Sequence, residues 1–269
     1  MNLKPTTSMQ ILSASEGVAF ETVNPDGTSA VLLVCEHASK FIPASLNNLG
    51  LDAQTANSHV AWDLGALSVS KHLSSSLDAS LIAAKVSRLV YDCNRPPDAA
   101  GAMPAKSEVF PIAGNQNIPT DEKIARVNEI YVPFTNALSE EIAARANAGR
   151  TTVIVTIHSF TPTYFGEKRK VELGILHDQD ATLADAILAI PSTMDVKRNQ
   201  PYGPDDGVTH TLKLHALPNR LLNVMIEIRN DLIATDRDQK KVADELSVIF
   251  SQALEALQVS TEITKATHA

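Results

Sequence analysis

Three apolar runs in this sequence carry polar residues that an ordinary buried strand would lack. Glu36 and His37 close SAVLLVCEH (29–37), His158 and Ser159 end the run that begins TTVIVTI at 151, and Glu227 stands between Ile226 and Ile228 in NVMIEIRND (223–231). Neutral imidazoles and carboxylates are the usual ligands of a catalytic zinc ion, which takes three protein ligands and keeps a fourth position open. His37 and His158 supply two of the three. Glu36, His59 and Asp63 each qualify as the third, and spacing does not choose among them. The familiar H-E-x-x-H pattern is absent, and Lys40 stands three residues after His37 where a glutamate ligand would be expected. Glu227 has two readings: a structural ion pair with Arg229 or Arg88, or a base that takes a proton from water and returns it to a leaving amine.

A second cluster, SRLVYDCNRPPD (87–98), crowds Arg88, Asp92, Asn94 and Arg95 into a few positions before two prolines. It reads either as a solvated loop with a salt bridge or as an anion site. A guanidinium presents a planar fork to a carboxylate, and an asparagine amide can donate to the same group. Arg88, Asn94 and Arg95, with Arg229 as a further candidate, are therefore expected to bind an acidic substrate. Tyr202 and His210 go with the Pro/Gly-punctuated loop of 191–209, His210 just after it, and are expected either to stabilise an oxyanion or close over substrate, or to be plain loop surface. His215, in LKLHALP, is expected to be structural, and nothing singles out His177.

These residues need rigid elements to bring them together. Short Val/Ile/Leu-rich runs alternate with helical patterns, the mark of an α/β fold with a largely parallel buried sheet. Strands are expected at 29–37, 80–86, 88–92, 151–160, 171–178 and 223–231. Helices are expected at 61–77, 120–148, 180–189 and 237–257. Pro133 should kink or split the second helix, and Gly149 should cap it. Sites in parallel sheets form at the carboxyl ends of strands, which is where the two histidines fall.

Length and composition limit the possibilities. A chain of 269 residues suits one domain, here taken as 1–269 with its core at about 30–257 and termini that fray. Apolar residues at 44% and charged residues at 20% argue against disorder, and a formal charge of −8 argues against nucleic acid as partner. Two cysteines, Cys35 and Cys93, each beside an expected strand, fit reduced, cytosolic usage. The start MNLKPTTSMQ has no basic residues followed by an apolar run, and no stretch approaches membrane-spanning length. A cytoplasmic protein acting on a small acidic molecule is expected, with no nucleic acid or membrane partner.

In order and spacing, the segments CEHASKFIP (35–43), HVAWDLGA (59–66), SRLVYDCNRPPD (87–98), HSFTP (158–162), NQPYGPDDGVTH (199–210) and IEIRNDLI (226–233) resemble the N-formylglutamate amidohydrolase family. That family belongs among the zinc carboxypeptidase-like hydrolases. The resemblance covers about residues 30–255 and implies a single-domain, carboxypeptidase-like α/β fold with a mixed, largely parallel central sheet, helices on both faces and one zinc ion. It implies His37 and His158 as ligands, with Asp63 as the preferred third. It also implies Asn94 and Arg95 as the grip on a substrate carboxylate and Glu227 as the catalytic glutamate. The implied activity is removal of an N-acyl group, formyl at the simplest, from an acidic amino acid. The same machinery would serve another N-acyl amino acid or a short peptide, and a non-catalytic carboxylate-binding protein on the same fold is the alternative from a different class.

Overall fold

The computed structural model describes residues 9–259. Seven strands form one mixed sheet: β1 (Phe20–Val23), β2 (Val31–Cys35), β3 (Ser80–Ala84), β4 (Val153–Phe160), β5 (Leu173–Leu176), β6 (Val196–Arg198) and β7 (Leu222–Arg229). Their spatial order is β1-β3-β2-β4-β7-β5-β6. The four central strands β3, β2, β4 and β7 run parallel, while β1 and β5 each pair antiparallel with a flanking member of that group. The central strands are made of β-branched and aliphatic residues and are buried on both faces, as parallel strands covered by helices must be.

Helix α1 (Ala66–Leu77), α4 (Thr182–Leu188) and α5 (Asp236–Ala256) cover one face. In α5 the buried residues Val242, Leu246, Ile249, Phe250 and Ala253 recur at helical spacing and form the stripe that packs on the sheet. Thr235 caps its first turn, and Asp236 and Asp238 favour the same end electrostatically. The other face meets α2 (Thr120–Arg126) and α3 (Val132–Asn147), joined by a π-helical turn at Val127–Tyr131. Pro133 has no N–H to continue the ladder, and the expected kink takes the form of that wide turn just before it. Gly149 follows α3 with φ of 66°, the left-handed conformation that ends a helix.

The structure corrects several expectations. Residues 88–92 are not a strand: the Val90 and Tyr91 amides fold back on the Ser87 carbonyl. The carbonyls of Leu89 and Val90 accept from Asn115 Nδ2 and Arg126, so buried side chains secure a turn where a sheet ladder was expected. Leu89, Val90 and Tyr91 are apolar because they plug the core. His158 lies inside β4 rather than after it. The 191–209 stretch contains the short edge strand β6, and β1 gave no distinct sequence signal. Expected fraying of the last dozen residues falls largely outside the described residues. Among the described residues, no helix is long and apolar enough to cross a membrane, and Cys35 and Cys93 are both free and buried.

Candidate active site

The site follows from side-chain alternation along the central strands. Register pairs Leu32 with Ile154 and Val34 with Thr156 across β2 and β4, and Thr156 with Met225 and His158 with Glu227 across β4 and β7. Each pair points to the α3 face. Continuing β2 by the same alternation puts Glu36 on that face too, and Glu36 Oε2 lies 3.1 Å from His158 Nε2. His37 follows past the strand end. On the far side of β7, Glu227 is opposite Gly174 of β5, where a Cβ would lie 2.0 Å from the Gln200 carbonyl oxygen and 3.1 Å from the Glu227 Cβ. Only glycine allows the Gln200 carbonyl to lie this close to β5 at the position opposite Glu227.

Asp63 arrives on the loop before α1. Its amide donates to the His37 carbonyl at 2.9 Å, tying that loop to the end of β2. Gly65, at φ of 80°, lets the chain turn into α1 against the Ile233 carbonyl, 2.7 Å from where a Cβ would stand. Asp63 then divides its oxygens: Oδ1 accepts from Arg88 at 3.1 Å, while Oδ2 faces His158 Nδ1 at 2.9 Å and His37 Nδ1 at 3.3 Å. The two Nδ1 atoms are 3.2 Å apart. His37 Nε2 is 2.7 Å from Asp92 Oδ1, so its ring proton belongs on Nε2, and the Nδ1 lone pair is turned toward the other two groups.

His37, Asp63 and His158 are buried and present one atom each to a common point, a group that could hold a metal ion. Three lone-pair donors do not face one another at these distances without a cation or protons between them. A tetrahedral ion with bonds of about 2.0–2.1 Å spaces its ligand atoms about 3.3 Å apart, against the observed 2.9, 3.2 and 3.3 Å. Electrostatics point the same way. Burial opposes charge on both imidazoles, yet Glu36 and Asp63 around His158, and Asp92 and Asp63 around His37, raise their pKa values. Asp63 itself is held well below the carboxylate range, because His37, His158 and Arg88 outweigh its burial. The pocket demands positive charge.

Glu227 behaves differently. Burial, reinforced by Asp63, pushes its carboxyl up to about 7, and its Oε2 has no hydrogen-bond partner. It lines the same cavity of about 390 Å³ as His37, Asp63, His158 and Arg88. A buried carboxyl without a partner, poised near neutrality beside a cation-demanding centre, is suited to exchange protons.

Of the residues expected from sequence, Arg88, Asn94, Arg95 and Tyr202 also line this cavity. Arg88 is engaged by Asp63 and, at 3.7 Å, by Asp92, which makes it a strut for the carboxylates. Asn94 spends its amide on the chain, donating to the Val208 carbonyl and accepting from the Thr211 amide, and Arg95 donates to the Gly207 carbonyl. The pair therefore pins the 207–211 loop, and what Asn94 keeps for an anion is the second N–H of its amide. His210 is not at the cavity: its Nε2 meets the Tyr131 hydroxyl at 2.8 Å against the π-helical turn. Arg229 is also outside, at the end of β7, bonded to Glu172, Asp231 and the carbonyls of Arg169 and Lys170. Glu36 and His59, the other candidate ligands, stand apart from the three-residue group; Glu36 backs His158, and His59 pairs with Glu108 at 2.9 Å. Asp92 was present in the sequence cluster without an assigned role; its signal was a buried acid within a segment that returns to the His37 strand. Tyr164, also on the cavity wall, had no such signal.

With this geometry in place, comparisons with known proteins are informative. A family model described as N-formylglutamate amidohydrolase matches residues 29–234. The crystal structure of a gene product from Agrobacterium tumefaciens is 52% identical and superimposes with a TM-score of 0.91, covering 93% of this chain and 100% of that one. The structure of an N-formylglutamate amidohydrolase from Ralstonia eutropha JMP134 is 17% identical, with a TM-score of 0.59 over 90% of this chain and 98% of that one. At that identity the likeness speaks for the fold. No curated protein matches the sequence.

Proposed function

The chain belongs to the N-formylglutamate amidohydrolase family, and on that premise we propose that it hydrolyses the amide of an N-acylated acidic amino acid, N-formyl-L-glutamate at the simplest, with one zinc ion held by His37, Asp63 and His158. The observation that carries this reading is the convergence of His37 Nδ1, His158 Nδ1 and Asp63 Oδ2 in the cavity that also receives the unpartnered Glu227. Two nitrogens and a carboxylate oxygen form a donor set typical of catalytic zinc. When bound, the ion supplies Lewis acidity toward the amide carbonyl and acidifies water.

The protein's own groups do the rest. Glu227 accepts a proton as the water oxygen attacks the carbonyl carbon, then delivers it to the nitrogen as the C–N bond breaks, leaving formate and the free amino acid. Asp92 fixes the His37 imidazole, the Glu36 carboxylate supplies negative charge 3.1 Å behind His158, and Arg88 turns Asp63 so that Oδ2 faces both rings. Arg95, whose remaining guanidinium nitrogens have no carboxylate within reach among the described residues, supplies positive charge at the cavity. The test is amine release from a panel of N-acyl amino acids, with metal analysis before and after chelation. Turnover of N-formylglutamate that is lost with chelator and restored by zinc supports the reading. Stoichiometric zinc without hydrolysis of any panel member refutes it.

A further inference from the structure

Beside the reaction cavity lies a second cavity of about 770 Å³, and the two share Tyr164, Tyr202 and Asp206 as a common wall. Arg169 stands behind that wall. It follows a short hairpin, Thr163–Tyr164 against Glu167–Lys168, whose tip turns through Phe165 and Gly166 with positive φ. The Arg169 amide closes the hairpin onto the Pro162 carbonyl at 2.9 Å, and Arg229 grips the carbonyls of Arg169 and Lys170 from below. This explains the placement of Arg229: it supports the backbone that presents Arg169.

The Arg169 guanidinium carbon lies 4.4 Å from the Tyr164 ring centre, 5.0 Å from that of Tyr202 and 5.4 Å from that of Phe160. One nitrogen donates to the Tyr202 hydroxyl at 3.1 Å and another weakly to the Thr161 carbonyl at 3.4 Å. All three rings line the reaction cavity. Two of the neighbouring cations are engaged, Arg88 with Asp63 and Asp92, and Lys197 with Asp195 at 2.6 Å, while Arg95 stands on the reaction cavity without touching this wall's rings. Among the described residues Arg169 has no carboxylate within salt-bridge distance, in a chain whose formal charge is −8. Aromatic faces strip water from a guanidinium without neutralising it, and of its five N–H groups those not spent on Tyr202 and Thr161 remain for an anion.

From this arrangement we propose that Arg169 determines specificity, reading the second carboxylate of a dicarboxylic N-acyl amino acid at the Tyr164–Tyr202 wall. The inference rests on the proposed hydrolysis and adds the residue that selects among its substrates. Metal-loaded wild type and Arg169→Met are compared on N-formyl-L-glutamate and its neutral isostere N-formyl-L-glutamine. A charge-assisted fork is worth about ten- to a hundredfold. The wild type should therefore favour the diacid through KM, and Arg169→Met should lose that preference by at least about tenfold while kcat/KM for the glutamine substrate moves less than about threefold. Arg169→Lys should fall between, and Tyr202→Phe, which removes the hydroxyl but keeps the charge, should retain the preference. Equal loss on both substrates in Arg169→Met, or loss of preference in Tyr202→Phe, would show that Arg169 merely props the wall and would overturn the proposal. Calorimetric binding of glutarate against butyrate repeats the comparison without turnover. Weaker glutarate binding confined to Arg169→Met supports the assignment even if neither amide is cleaved, whereas that lack of cleavage would count against the proposed hydrolysis alone.

Discussion

The two faces of the central sheet are built from the same strands yet have different uses. Toward α1, α4 and α5 the sheet presents Val31, Leu33 and Cys35 from β2, Val153, Val155 and Ile157 from β4, and Val224, Ile226 and Ile228 from β7, all within one apolar cluster. Toward α3 it presents Leu32 and Val34, then Ile154, Thr156 and His158, then Asn223, Met225 and Glu227. That second face starts as core and becomes a reaction site over the last turn of alternation before the carboxyl ends. Because the side-chain period is two, single-residue choices write polar chemistry on one face while the other remains fully apolar. A substitution on the α3 face should then change chemistry with little loss of stability. One on the α1 face should do the reverse.

The largest effect should come from the histidines. His158→Ala or His37→Ala should abolish stoichiometric metal binding and lower kcat/KM by at least about a thousandfold, the scale of several kcal/mol of lost transition-state stabilisation. Retained metal in either variant, measured per chain after dialysis, would break the comparison at its centre. Glu227→Gln should keep the metal and lower kcat by at least about a hundredfold. It also has a pH signature in the metal-free protein. Because burial pushes Glu227 from 4.5 up to about 7, the fold favours its protonated form. That stabilisation is fully present below the unfolded pKa and is lost as pH rises through about 7. The permanently neutral glutamine escapes the loss, so the melting temperature of Glu227→Gln should gain on wild type between those two values. A constant gap across that range would mean that Glu227 is not buried as described.

Asp92→Asn should act more mildly, weakening metal affinity by about ten- to a hundredfold, because it touches the ion only through His37. Metal titrations monitored for proton release would sharpen this further, since imidazoles with raised pKa values must shed protons on binding.

How much of this could be read in the sequence depended on the range of the signal. The unbroken β-branched run before His158 and the periodic stripe of α5 are local patterns, and both elements lie close to where they were expected. The sheet's mostly parallel architecture followed from strand and helix alternation, whereas its antiparallel members were expected only from the family resemblance. Residues 88–92 misled because an apolar run bounded by turn residues looks the same whether it pairs with a neighbour or plugs the core. The deciding partners, Asn115 and Arg126, are distant in sequence. In the site, His37, His158 and Glu227 stood out as polar residues in apolar runs. Asp63 needed the family resemblance to be preferred over Glu36 and His59. The misplacement of Arg229 has a physical cause: alternation keeps it on Glu227's face of the strand, but it stands at the strand end, beyond the cavity, where Glu172 and Asp231 meet it. Arg169 could not be found, because its meaning lies in three rings from separate segments.

The smallest expected effect tests the apolar face one residue from the chemistry. Ile226 is fully buried, pairs with Ile157 of β4 on one side and Ile175 of β5 on the other, and packs in the cluster beneath α5. Ile226→Val keeps β-branching and strand preference and removes one methylene, so its cost is lost burial plus a small void, about 0.5–1.5 kcal/mol. In a chain of this size that lowers the melting temperature by roughly 2–4 °C. Since Ile226 points away from the cavity, kcat/KM should stay within about twofold of wild type. Denaturant melts and steady-state kinetics on the same preparation separate the two quantities. A tenfold fall in kcat with unchanged stability would mean that the faces are coupled through the strand backbone and that alternation does not insulate Glu227 from its neighbour.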